Sequence, residues 1–162
     1  MNIPSLIALV REKKPPLPVP VLLALEEGIG ERLPEDYREF LIACNGGSLG
    51  GRLWFYKAGS VLPDAAPHHV GGLRPEPPFS LLARLHALHG RIPIDLMWIM
   101  DDAFGNAICL GVAGELHGRV YFWDHEKEPA AGAWDGRLDT AVNVRLLAGS
   151  FTEFVAGLES RV

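Results

Sequence analysis

Cysteine is scarce in this chain. Cys44 and Cys109 are the only two among 162 residues. Each lies inside an apolar run, far from the other, with no second thiol or imidazole at metal-ligand spacing. That excludes a disulfide scaffold, a zinc ribbon and a redox pair, and leaves two buried free thiols in a reducing compartment. Positive charge is also in short supply: 15 Lys and Arg against 20 Asp and Glu give a net charge of -5. Without clustered Lys and Arg there is no footprint for displacing phosphate counterions, so direct nucleic-acid binding is not expected. No apolar run is long enough to span a bilayer. The start, Met1-Asn2-Ile3-Pro4-Ser5, lacks the basic segment and apolar stretch of a secretory leader. Gly-x-Ser-x-Gly and His-Glu-x-x-His are missing as well. Gly46-Gly47-Ser48-Leu49-Gly50-Gly51 lacks the Lys-Ser/Thr of a phosphate loop and follows a helical pattern rather than a strand. The expectation is a cytoplasmic protein with no cofactor, no resident metal and no membrane contact.

What is present is an ordinary globular composition, 48% hydrophobic and 22% charged. Residues 1–162 suit one domain with a core of its own. Ile3, Leu6, Ile7 and Val10 follow the helical i, i+3, i+4, i+7 spacing, with Lys13 and Lys14 suited to the negative helix end before Pro15-Pro16. A second helix is predicted from Val21 to Glu27, stopped at Gly28 or Gly30. A third starts with Pro34 in its first turn, carries Glu35 and Asp36 near the positive dipole end, and ends at Asn45-Gly46-Gly47. Leu53-Trp54-Phe55-Tyr56 reads as a strand. Gly59 to Pro78, studded with Pro63, Pro67, Pro75, Pro77 and Pro78, reads as a loop. Ser80 caps a helix running to His89. Leu96-Met97-Trp98-Ile99-Met100 is a central strand, Asp101 to Gly105 a turn, Asn106 to Val112 the next strand, and Arg119 to Trp123 the return: an antiparallel meander. Asp124 to Asp139 is a polar loop and Val142-Asn143-Val144 a short edge strand. Ser150-Phe151-Thr152-Glu153 is a capping box opening a last helix with Phe151, Phe154, Val155 and Leu158 on its buried face. The whole predicts an α+β fold, N-terminal and C-terminal helices packed around one antiparallel sheet.

These segments together resemble the SUKH superfamily (Smi/Knr-type proteins). The likeness runs through Leu25-Glu26-Glu27-Gly28-Ile29-Gly30, Leu33-Pro34, Asp36-Tyr37, Phe40-Leu41 and Asn45-Gly46-Gly47. It resumes at Phe104-Gly105-Asn106, Ile108-Cys109-Leu110, Gly118, Val120-Tyr121-Phe122 and Asp124-His125, and ends at Ser150-Phe151 with Phe154. One position departs: the family often carries an acidic residue just after the Cys-Leu pair, and Gly111 stands here. The resemblance implies a non-enzymatic binding protein. Bacterial members are mostly immunity proteins that bind and block toxins, frequently nucleases or deaminases; fungal relatives regulate cell-wall synthesis. No catalytic residue is carried over from it.

Several groups could carry chemistry. Asp101 and Asp102 could be paired carboxylates, although aspartates also suit a polar turn through local backbone bonding. In Asp124-His125-Glu126, strand alternation would send His125 away from its neighbours and prevent a shared metal or acid–base pair. His86 and His89 share one helix face without a third ligand, and a helix C-terminus favours them as dipole partners. His68-His69 is a loop pair of similar standing. Trp134, among Glu126, Glu128, Asp135 and Asp139, could anchor a basic partner or fold back over the sheet edge. The surface expected to bind a cognate toxin is therefore Asp101, Asp102, Asp124, Glu126, Glu128, Trp134 and Asp135, with negative potential steering a basic partner. Two other readings remain open: a regulatory adaptor with no toxin partner, and a metal-dependent hydrolase using His86, His89 and Asp124.

Overall fold

Helix starts and stops follow the local chemistry. The computed structural model describes residues 1–50, 53–56 and 66–161. In α1 (Ile3–Leu9) the Asn2 side chain accepts from Ser5 N–H at 2.9 Å, and Lys13 Nζ donates to the Ile7 carbonyl at 2.7 Å at the far end. Helix α2 (Val19–Ile29) runs longer than the predicted Val21 to Glu27, because Pro20 fits its first turn and Pro18 is its N-cap. It ends at Gly30, whose φ of 77° is the left-handed conformation glycine adopts without strain. Helix α3 (Glu35–Cys44) begins directly after Pro34 and stops where Asn45 turns left-handed. Ser80 Oγ caps α4 (Leu81–Leu88) and Ser150 Oγ caps α5 (Phe151–Ala156). The other half of the Ser150 box differs from expectation: the Glu153 carboxylate accepts from Gly149 N–H at 2.7 Å rather than from Ser150.

The main sheet is antiparallel and six-stranded. Its strands are β1 (Gly47–Ser48), β3 (Pro67–Val70), β4 (Leu96–Asp102), β5 (Ala107–Gly111), β6 (Val120–Trp123) and β7 (Val144–Ala148), and they lie side by side in that order. β4, β5 and β6 are buried along their whole length, as their unbroken apolar runs require. α4 lies on one face: the Arg84 guanidinium sits over the Trp98 ring, and Arg91 just beyond the helix sits over Trp123. Tyr37, Phe40, Phe151 and Phe154 form an aromatic cluster joining α3 to α5. Phe40 and Phe151 are 4.9 Å apart, and all four side chains are inaccessible to water. Asp36 Oδ2 ties the two helices further by accepting from Thr152 N–H and Oγ1 at 2.8 and 3.0 Å. A buried pair, Glu26 with Arg38, locks α2 to α3, and the same Glu26 oxygen accepts from Leu33 N–H at 2.7 Å.

Beyond α2, four further assignments differ from the sequence reading. The proline-rich stretch contains β3, so His68 and His69 are strand residues; Pro67 is accommodated at the first position of that strand. Residues 59–65 of that stretch lie outside the described residues. Asp101 and Asp102 end β4 rather than opening a turn. The edge strand is β7, Val144–Ala148, not 142–144. The last helix stops at Ala156, and Leu158 starts β8 (Leu158–Arg161), which pairs with β2 (Leu53–Tyr56) in a second, two-stranded sheet. Leu158 is still buried, so its apolar spacing was met by a strand instead of a fourth helical position.

Candidate functional site

One end of the main sheet gathers most of the residues singled out from the sequence. Antiparallel register places Asp101, Ala107, Trp123 and Val144 in a single row across β4, β5, β6 and β7. The segments just beyond that row therefore share one rim: Asp102–Asn106, Asp124–Lys127 and Val142-Asn143.

Successive strand residues point to opposite faces, and the two aspartates do so here. Asp101, 6% exposed, accepts from His69 N–H at 3.1 Å, meets His69 Nδ1 at 2.8 Å and accepts from Arg84 Nη2 at 2.7 Å. Asp102, 4% exposed, builds the β4–β5 turn. Its Oδ1 accepts from Phe104 N–H and Asn106 N–H, and its Oδ2 from Asn106 Nδ2, all at 2.8 Å. Paired carboxylates at a shared site are thus replaced by two aspartates with separate sets of partners. Asn106 continues the chain of bonds, its Oδ1 meeting His125 N–H at 3.2 Å and His125 Nδ1 at 2.9 Å.

β6 ends at Trp123, so strand alternation never reaches His125. Residues His125–Lys127 form a single 3-10 turn capped by Asp124. Asp124 Oδ1 accepts from Glu126 N–H and Oδ2 from Lys127 Nζ at 2.9 Å. Burial pushes the Asp124 carboxyl upward, but these two bonds together with the Lys127 and Arg145 charges hold it below its ordinary value. Asn143, also buried, accepts through its carbonyl from Asp124 N–H and donates through Nδ2 to the Asp124 carbonyl. The Glu126 side chain makes no ion pair with a described residue.

Of the remaining predicted residues, Glu128 and Trp134 border the His125 turn, whereas Asp135 lies toward the opposite end of the sheet, lining a cleft with Ile94, Leu96 and Val112. Glu128 receives a two-pronged Arg91 fork, both contacts at 2.7 Å, and that guanidinium holds its carboxyl below the ordinary range. Trp134 is half-buried; its indole N–H donates to the Arg137 carbonyl and Thr140 Oγ1, both at 3.0 Å. It folds onto its own loop, and with Arg91, His125 and Glu128 it lines a cleft of about 550 Å³. Exposed Asp135 is held low by the Thr140 hydroxyl and Arg137 N–H. The structure thus brings Asp102, Asp124, Glu126, Glu128 and Trp134 along one rim, with Asp101 buried behind it.

His86 and His89 are exposed on α4 and its cap. Among the described residues, no group of three or more His, Cys, Asp or Glu side chains is placed to hold a metal ion. Burial raises the Cys44 thiol to about 11 and the Cys109 thiol to about 12, the reverse of an activated nucleophile. No helix among the described residues is long and apolar enough to cross a membrane.

Sequence reasoning missed two residues of the rim. Phe104 is 64% exposed at the tip of the β4–β5 turn, and Val142 is 77% exposed just before β7. The signal was available for Phe104: a large aromatic between Asp102 and Gly105-Asn106, in a turn whose composition is otherwise polar or small. Gly111, the position of the family departure, has a steric explanation. A Cβ there would lie 2.0 Å from the Leu116 carbonyl oxygen, so the 113–118 turn folds over a residue that must lack a side chain.

Nothing matches the chain among curated proteins or among solved structures. The sequence profile of the SMI1/KNR4 family (SUKH-1) matches residues 21–157, from α2 through α5, a span that includes the whole of the rim. The chain therefore belongs to the SMI1/KNR4 (SUKH-1) family.

Proposed function

We propose that this protein is a non-enzymatic immunity protein that binds a cognate toxin and neutralises it by steric occlusion. Family membership over residues 21–157 is the observation that carries the reading. The disposition of the polar groups supports it. Asp101, Asp102 and Asp124 are spent on internal bonds, Glu128 on Arg91, and both thiols are buried. What faces solvent on the rim is shape and negative charge: Glu126, the half-buried Trp134, and the field of the aspartates beneath. A basic nuclease or deaminase domain is the partner such a surface suits, with association steered by the chain's net charge of -5. The test is co-expression with the protein encoded by the adjacent gene. A toxin-class product that co-purifies, and associates more slowly at higher salt, supports the proposal. A housekeeping or cell-wall neighbour that does not co-purify sinks it and favours the adaptor role.

A further inference from the structure

From the rim we infer that Phe104 and Val142 are twin apolar anchors of a docking face, and that its occupant is a protein segment placing an Arg or Lys side chain between them. This deepens the proposed function by naming the face and the chemistry of its partner. Three observations lead to it. First, Phe104 and Val142 are among the most exposed large apolar side chains of the described residues, and register sets them on one edge. β5 and β7 are two strand spacings apart, roughly 10 Å, so one partner segment spans both.

Second, the edge is built to hold still. Asp102 fixes the Phe104 turn with three hydrogen bonds, Asn106 ties that turn to His125, and Asn143 ties Asp124 to the segment carrying Val142. An aromatic held rigidly in water loses little conformational freedom on binding, which is what an interface anchor needs.

Third, the ground between the anchors selects charge. A cleft of about 310 Å³ is lined by Asp102, Phe104, Phe122, Asp124, His125 and Glu126. Lys127 is already engaged by Asp124, and Arg145 lies over the Phe122 ring and is drawn to Asp124, whereas Asp102 and Glu126 make no ion pair with a described residue. A cation entering there meets the exposed Glu126 carboxylate, with the hydrogen-bonded Asp102 carboxylate behind it and Phe104 in the same cleft wall. Phosphate-bearing partners would be repelled. The larger groove between α2 and α4, by contrast, is walled by apolar residues such as Val21, Leu25 and Leu82, and Arg74, its one charged wall, is already engaged by Glu76 and the Phe79 ring.

Selection of a random-peptide phage library on the intact chain tests this without any toxin in hand. Recovered peptides are expected to carry Arg or Lys beside apolar residues and to weaken with salt. Binding should drop at least about tenfold on Phe104→Ser or Val142→Ser, drop also on Glu126→Gln, and be unchanged on Leu82→Ser in the α2–α4 groove. Both anchor side chains are exposed, so a urea unfolding midpoint equal to the parent's establishes that these variants are folded. Peptides without basic residues, peptides that bind Phe104→Ser as well as the parent, peptides lost only on Leu82→Ser, or no selected peptide at all would each overturn the inference. Co-purification with the adjacent gene's product succeeds or fails independently, so the two proposals can fall separately.

Discussion

The Asp102–Asn106 pair makes a sharp quantitative prediction, because the orientation of its amide is fixed from both sides. Asn106 Oδ1 is committed to His125, so Nδ2 must face Asp102, where it donates at 2.8 Å. In Asp102→Asn, one side-chain oxygen still accepts from Phe104 N–H and Asn106 N–H, but the new amide NH₂ points at the Asn106 NH₂. Two donors then face each other at a site 4% exposed. Leaving a buried donor unsatisfied costs about 1–3 kcal/mol, so Asp102→Asn should lose about 2 kcal/mol. Asp102→Ala, which removes all three bonds, should lose about 3 kcal/mol or more. The decisive variant is the exchange Asp102→Asn with Asn106→Asp. Donor and acceptor trade places: the amide introduced on β4 donates to the carboxylate introduced on the far side of the turn, which can still accept from His125 N–H. Urea denaturation of the four corners of this cycle should give a favourable coupling of at least about 1 kcal/mol. An Asp102→Asn variant as stable as the parent, or an exchange variant no better than the sum of its parts, would refute the bonding scheme and with it the rigid presentation of Phe104.

Gly111→Ala should cost about 1–3 kcal/mol through displacement of the 113–118 turn, and an unchanged melting temperature would contradict the contact with Leu116. Acidification should destabilise the chain. The Glu128, Asp124 and Asp135 carboxyls are all held below their ordinary values, so the unfolded state binds more protons as the pH drops. The stability they lend is complete above the ordinary carboxylate range and drains away as pH falls through the depressed folded values. A urea midpoint declining below about pH 5 is expected, with a shallower decline in Glu128→Gln; a midpoint that rises on acidification would contradict this. Cys44 and Cys109, raised to about 11 and about 12 by burial, should resist a thiol reagent at neutral pH until urea unfolds the chain. Fast labelling of the native protein would show that the sites open.

The helices and the meander were legible because each carries its own local signal. Ser80 and Ser150 cap, Gly30 and Asn45 stop, and the apolar runs from Leu96 and Ala107 mark strands that are buried on both faces. What escaped was non-local. β3 hides behind Pro67, whose missing N–H is harmless at a strand's first position. β8 continued the helical apolar spacing through Leu158, and only its pairing with β2, about a hundred residues earlier in the chain, decides it is a strand. The acidic rim was legible as composition, but its geometry was not. Burial of Asp101 depends on Arg84 and His69 reaching it from α4 and β3. Nothing local to Val142 says that it will share an edge with Phe104.

Stoichiometry tests most directly whether this chain acts by occupying its partner rather than transforming it. The purified protein, titrated into the activity assay of the proposed toxin partner, should abolish activity linearly and reach zero at one equivalent. Inactivation that goes to completion well below one equivalent, with time, would mean turnover and would contradict the account.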